Sequence, residues 1–268
     1  MVLDSNDICD LEKAKWLLEN PGFAAKLTNF FGTPIEKSFA MLPETWKDKV
    51  GVITHSALSK AIAAAVTTLN NQPCRKSSNM LHKIAVGATG GVGGFFGLAG
   101  LAVELPISTT IMLRSIADIA RSEGELITST ESQLACMEVF AFGGTTDIDD
   151  NHESAYFAAR AALASSLAKA TEYIAERGLV EGSPALVRFI IQISERFSVQ
   201  VSEKVVSQAI PAIGAAGGAI INTLFIDHFQ DMARGHFTVR RLERKYGGDV
   251  VKDAYNILQL SKSDVWRK

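Results

Sequence analysis

The chain has 268 residues, of which 47% are hydrophobic and 21 are glycine. Charged residues make up only 21%, and 27 basic against 29 acidic side chains leave a formal net charge of -2. This balance provides no large positive field, which argues against a nucleic-acid-binding protein. With only 7 prolines and no Pro/Gly/Ser-rich linker, we predict a single domain over residues 1–268.

The cysteines and the first residues indicate the compartment. Cys9, Cys74 and Cys136 are odd in number and widely spaced, which argues against a disulfide framework or a zinc knuckle and favours a reducing environment. The segment 1–7 is acidic and polar, without the basic and apolar regions of a signal peptide. We therefore expect a cytoplasmic protein.

Apolar residues recur at three-to-four spacing along most of the chain, which predicts a mainly α fold in one compact multi-helix domain. Strand-like alternation is scarce. In the N-terminal part, residues 1–75, the predicted helices cover 7–19, a short stretch from Phe23 to Phe31, a stretch started by Thr33 and Pro34, and one that Pro43 opens and that includes Ala57–Leu69.

The middle of the chain is rich in glycine. Residues 84–103 are twenty consecutive uncharged residues, and seven of the fourteen residues from Gly87 to Gly100 are glycine. Each glycine inside a helix costs about 1 kcal/mol relative to alanine, so close packing against another surface must compensate. Pro106 then predicts the start of the next helix.

A second apolar segment, 205–226, is also rich in small residues. The predicted helices around it cover 151–177, a stretch from Ser183 and Pro184 towards Val206, a charged helix that ends at Gly247, and a last helix over 249–260. The fold is thus expected to contain two Gly/Ala-rich apolar central segments.

The glycines of the first segment invite comparison with a dinucleotide-binding loop. The spacing fails the Gly-x-Gly-x-x-Gly pattern, and no alternation of strands and helices follows. The same residues form small-xxx-small pairs such as Gly87 and Gly91, which let helices approach closely in lipid or in a protein core. Both of these interpretations stay open.

Polar residues next to the apolar segments are the candidate site. Glu104 follows the first segment directly, where a carboxylate needs a cation, a polar cavity or an interface. Arg114, Asp118 and Arg121 continue the same helix at spacings that allow ion pairs. Asn222, near the end of the second segment, begins a comparable row. These rows are either structural pairs or a patch for an anionic head group or a partner.

The acidic segment Asp147–His152 suggests a metal site or a hydrolase. A calcium loop would need glycine where His152 stands, and a zincin would need histidine where Tyr156 stands, so neither pattern fits. The segment instead favours an acidic loop in which Asp150 or Asn151 caps the following helix. We therefore predict no metal, no cofactor and no assembled catalytic residues. The alternative is a hydrolase or peptidase whose site combines this acidic segment with His228.

The order and the amino-acid sequence of several blocks resemble those of the EcsC family of bacterial proteins. The resembling blocks are 90–97, 104–106, 112–120, 156–163, 209–222 and 237–242, which together span most of residues 80–247. The family takes its name from a protein encoded beside the subunits of an ABC export system. The resemblance implies a bacterial, membrane-connected helical protein and supplies no catalytic residues. Residues 248–268 follow the resembling region and are predicted to form a C-terminal helix.

We predict a non-catalytic accessory protein that binds membrane lipid or an apolar small molecule, with transporter subunits as possible partners. It would be cytoplasmic and peripheral at the inner membrane, and an integral protein with two spans is a further alternative. The predicted contact residues are Phe95, Phe96, Leu98, Leu101, Glu104, Arg114, Asp118 and Asn222.

Overall fold

The protein is built from nine helices in the part of the chain that its computed structural model describes, residues 3–19, 22–31, 44–68, 97–144, 154–177, 183–209 and 214–258. The helices are α1 Ser5–Glu19, α2 Phe23–Phe31, α3 Glu44–Thr68, α4 Gly97–Ser122, α5 Thr130–Glu138, α6 Ala155–Arg177, α7 Pro184–Ala209, α8 Gly214–Tyr246 and α9 Gly248–Ile257. A 3-10 turn, Val139–Ala141, extends α5. This architecture confirms the mainly α prediction and fits a single compact domain.

Several helix ends fall where the sequence placed them. Ser183 caps α7, since its hydroxyl oxygen accepts a hydrogen bond from the backbone N–H of Leu186 at 3.3 Å. Gly247 ends α8 with a φ of 93°, a left-handed conformation that glycine adopts without strain. The predicted helix that begins at Thr33 and Pro34 lies outside the described residues.

The prediction that Pro106 starts a helix is wrong, because α4 already begins at Gly97 and Pro106 lies inside it. Proline removes one backbone donor from the helix, the one that would bond to the carbonyl of Ala102. Ala102 is exposed, so solvent can satisfy that carbonyl. The helix therefore continues through the proline, and the described end of the apolar segment, 97–103, shares one axis with the polar row.

The core lies between α3, α4, α7 and α8, with α1 and α2 packed on its side. Phe140, Phe197, Phe225 and Phe229 form its centre, with ring centroids 4.9–5.9 Å apart in successive pairs. All four rings are fully buried. Aromatic pairs at these distances contribute beyond the area they bury, so the cluster ties α7, α8 and the 3-10 turn together.

The cationic end of α8 is held by carboxylates of α1 and of the turn after α4. Arg241 forms ion pairs with Asp10 at 2.7 Å and with Glu123 at 2.8 Å, and Lys245 contacts Asp7 at 2.6 Å. Because these pairs join helices that are more than a hundred residues apart in sequence, they fix α1 along α8. The basic run of α8 is thus a structural tie rather than an open basic surface.

Candidate functional site

A buried ion pair crosses the core between the two apolar segments. The ammonium Nζ of Lys204 on α7 donates to Glu104 Oε1 on α4 at 2.7 Å, and Asn222 Nδ2 on α8 donates to the same oxygen at 3.2 Å. Glu104 is only 4% exposed, and Lys204 and Asn222 are fully buried. Three helices therefore converge on one carboxylate oxygen.

Aromatic packing completes the surroundings of the lysine. Lys204 Nζ lies 5.0 Å from the centroid of the Phe225 ring, where the negative face of the ring attracts the ammonium. Burying both charges costs several kcal/mol each, which good geometry and the added amide donor offset. The cluster of Glu104, Lys204 and Asn222, called the buried charge cluster below, fixes how α4 is oriented about its axis.

About 80° around the helix axis from Glu104, α4 presents apolar side chains to solvent. Val103 is 68% exposed and Ile107 is 48% exposed, one helical turn apart. Arg114, also exposed, lies on the same side because its position is eleven residues, about three turns, after Val103. We call Val103, Ile107 and Arg114 the exposed stripe.

The other predicted contact residues are placed as follows. Leu101 is a core residue at 3% exposure, so it does not contact solvent or an outside ligand in this conformation. Asp118 pairs with Arg121 at 2.8 Å, one of the ion pairs that the helical spacing indicated. Phe95 and Phe96 lie outside the described residues, as does the side chain of Leu98.

The sequence analysis named Glu104 and Asn222 but missed Lys204, the residue that directly precedes the second apolar segment. The run of apolar residues after Lys204 was itself the available signal, since a cation next to such a run needs a buried anion. Glu104 occupied the matching place beside the other run.

The residues of the hydrolase alternative are only partly described. The segment Asp147–His152 lies outside the described residues, and within the described part no three His, Cys, Asp or Glu side chains form a group that could hold a metal. His228 is fully buried against the backbone of Gly143, and burial lowers its pKa to about 3. It therefore stays neutral at physiological pH.

One described helix segment, Gly100–Ser122 in α4, is long and apolar enough to cross a membrane by length and composition. More than half of its most apolar window is buried inside the protein. A core helix of a soluble protein meets the same criteria, so this finding alone does not place the chain in a bilayer.

The fold and the site define a class of helical protein whose core is crossed by a buried ion pair beside an apolar helix face. The chain belongs to the EcsC protein family, whose model matches residues 10–242. The match begins within α1, so the N-terminal helices are part of the family domain, although the resembling blocks began only at residue 90. Searches of curated proteins and of solved structures gave no match.

Proposed function

We propose that this protein is a non-catalytic, membrane-associated accessory protein that contacts lipid through the N-terminal half of α4. The observation that carries this proposal is the exposed pair Val103 and Ile107. Val103 follows the uncharged residues 84–102 directly in sequence and Ile107 lies one turn later, so the exposed pair adjoins a stretch of sequence without charged side chains. The link to an ABC export system rests on family membership and belongs to the same proposal.

The orientation of α4 supports shallow insertion. An interfacial helix buries its apolar side among acyl chains and leaves basic side chains at the level of the phosphates. Arg114 lies about 16 Å along the axis from Val103 and on the same side, which suits a contact with a lipid phosphate. The buried charge cluster holds Glu104 in the core, about a quarter turn around the helix from the exposed stripe, so the stripe stays at the surface.

We expect the double substitution V103S/I107S to weaken binding to vesicles at least tenfold. Removing two exposed apolar side chains forfeits about 2 kcal/mol of transfer free energy, which corresponds to a factor of about 30. Co-sedimentation with vesicles of phosphatidylcholine and phosphatidylglycerol measures the loss, with far-UV circular dichroism to confirm that the helices are retained.

Leu126→Ser is the matched control, because Leu126 is 67% exposed but lies in the turn after the opposite end of α4. It should bind vesicles like the wild type. Equal binding of V103S/I107S and the wild type would contradict the proposal, as would equal losses in both variants. Native mass spectrometry of protein purified without detergent distinguishes a surface that docks on a bilayer from a site that retains an individual lipid.

A further inference from the structure

A second buried polar cluster lies away from the exposed stripe, where α5 meets α6 and α8. His236 Nδ1 and the Tyr156 hydroxyl are 2.9 Å apart, and Glu138 Oε2 lies 3.8 Å from His236 Nε2. Glu138 is 2% exposed, His236 is fully buried and Tyr156 is 3% exposed. A carboxyl, an imidazole and a phenol are therefore aligned in a region without access to water.

The neighbouring arginines form their ion pairs with other carboxylates, although Arg160 also lies over the Tyr156 ring, 5.5 Å from its centroid. Nη1 and Nη2 of Arg160 on α6 donate to the two carboxylate oxygens of Glu243 on α8, at 2.7 and 3.1 Å. Arg240 on α8 bonds to Glu125 at 2.9 Å and to Glu131 at 3.0 Å. Among the described residues, the only basic group within ion-pair distance of Glu138 is thus His236.

His236 does not supply the missing charge. Burial, with Arg160 and Arg240 nearby, holds the pKa of His236 well below its usual value, so the ring is neutral. Phe142 and Phe237 pack against the ring with centroids 5.0 and 4.9 Å away, so aromatic side chains flank the fully buried imidazole. A carboxylate beside a neutral imidazole in this apolar setting is unfavourable, whereas a protonated carboxyl is not.

We propose that Glu138 is the sensor of a proton-dependent lock, in which uptake of one proton from solvent fastens α5 and its 3-10 turn to α6 and α8, and loss of that proton loosens them. A shift of about 1 Å brings the protonated carboxyl within hydrogen-bond range of Nε2, with the carboxyl O–H as donor. Nδ1–H of His236 then donates to the Tyr156 oxygen. Ionisation removes the donor from the carboxyl and leaves a buried negative charge.

The lock operates near neutral pH, because burial raises the pKa of Glu138 from an ordinary value of 4.5 to about 7. A carboxyl whose pKa is raised in the closed state stabilises that state fully at pH values below its ordinary pKa. This contribution is lost as the pH rises through the raised pKa of the closed state. Carboxyls with a lowered pKa, such as Glu125, Asp4 and Asp7, act in the opposite direction and have finished titrating by about pH 5.5.

Hydrogen exchange of backbone amides in residues 130–144 tests the lock, with rates corrected for intrinsic exchange. Between about pH 5.5 and pH 8 we expect the opening equilibrium of the wild type to rise about 30-fold, the factor that a shift from 4.5 to about 7 requires. Glu138→Gln should reduce this pH dependence to less than about threefold, since the amide keeps the shape and does not titrate.

Glu125→Gln is the control, since Glu125 is also buried and contacts α5 through Ser132 at 2.6 Å. It should lower protection at both pH values and keep the wild-type pH dependence. Burial also raises the pKa of Glu19, but its neighbours Lys15, Tyr255 and Ser154 lie on α1, on α9 and just before α6 rather than on α5, so exchange in 5–19 separates the two groups. Wild-type protection of 130–144 that does not change with pH overturns the proposal even if Glu138→Gln fails to fold.

Discussion

Replacing Lys204 by methionine is expected to lower the free energy of unfolding by about 3–5 kcal/mol, because Glu104 is left as a buried charge without its cation. Lys204 is fully buried and Glu104 is 4% exposed, so water cannot take the place of the ammonium. Urea denaturation at neutral pH, followed by circular dichroism at the helical band, measures the loss.

The double variant E104Q/K204M removes both charges and should recover most of that free energy, since no unpaired ion remains. Lys169→Met, at an exposed position on α6, serves as the control and should change stability by less than about 0.5 kcal/mol. A loss below about 1 kcal/mol for K204M, or no recovery in the double variant, would show that the ion pair does not hold α4 and α7 together.

Gly235→Val is expected to destabilise the protein by about 3 kcal/mol or more, because α1 crosses α8 at this glycine. A Cβ atom at position 235 would lie 2.5 Å from Leu18 Cγ and 3.0 Å from the carbonyl oxygen of Ala14. The leucine can rotate away, but the backbone oxygen cannot, so the two helices must separate. Thermal unfolding monitored by circular dichroism provides the measurement.

Gly51 in α3 offers the opposite case, since a Cβ atom there meets nothing within 4 Å. Gly51→Ala should stabilise by about 1 kcal/mol through helix propensity alone.

Combining Gly235→Ala with Leu18→Ala should cost less than the sum of the single losses, because the smaller side chain makes room for the methyl group. Strict additivity, or a Gly235→Val variant as stable as the wild type, would contradict the close crossing.

The helices that carry local signals were predictable, and those that depend on tertiary packing were not. Ser183 with Pro184 marks the start of α7 because capping and proline preference act within one turn. Helix α5 was missed because most of Ser132 to Glu138 is buried, so its sequence lacks an alternation of apolar and polar faces. Its cap, Ser129, whose hydroxyl accepts from the Ser132 N–H at 3.2 Å, was the remaining signal.

The candidate site was predictable only in part. The need of Glu104 for a polar partner follows from its place in the sequence, but its partner Lys204 is a hundred residues away, and no local pattern connects them. Whether the other predicted contact residues are exposed depends on their angular position around the axis of α4. Leu101 is buried and Val103 is exposed, a difference fixed by how the buried charge cluster orients α4. Without that orientation, the sequence of the uncharged run does not distinguish the apolar residues that are exposed from those that are buried.

Helix α8 has a mechanical consequence. Its 33 residues run without interruption from Gly214 to Tyr246, a length of about 50 Å. Asn222 near one end belongs to the buried charge cluster, and Arg241 near the other end is tied to α1. A tilt of roughly 10° about the middle of such a rod displaces each end by about 4 Å, more than an ion pair tolerates. A tilt of α8 caused by movement at its N-terminal, apolar end would therefore strain the ion pairs between its C-terminal end and α1.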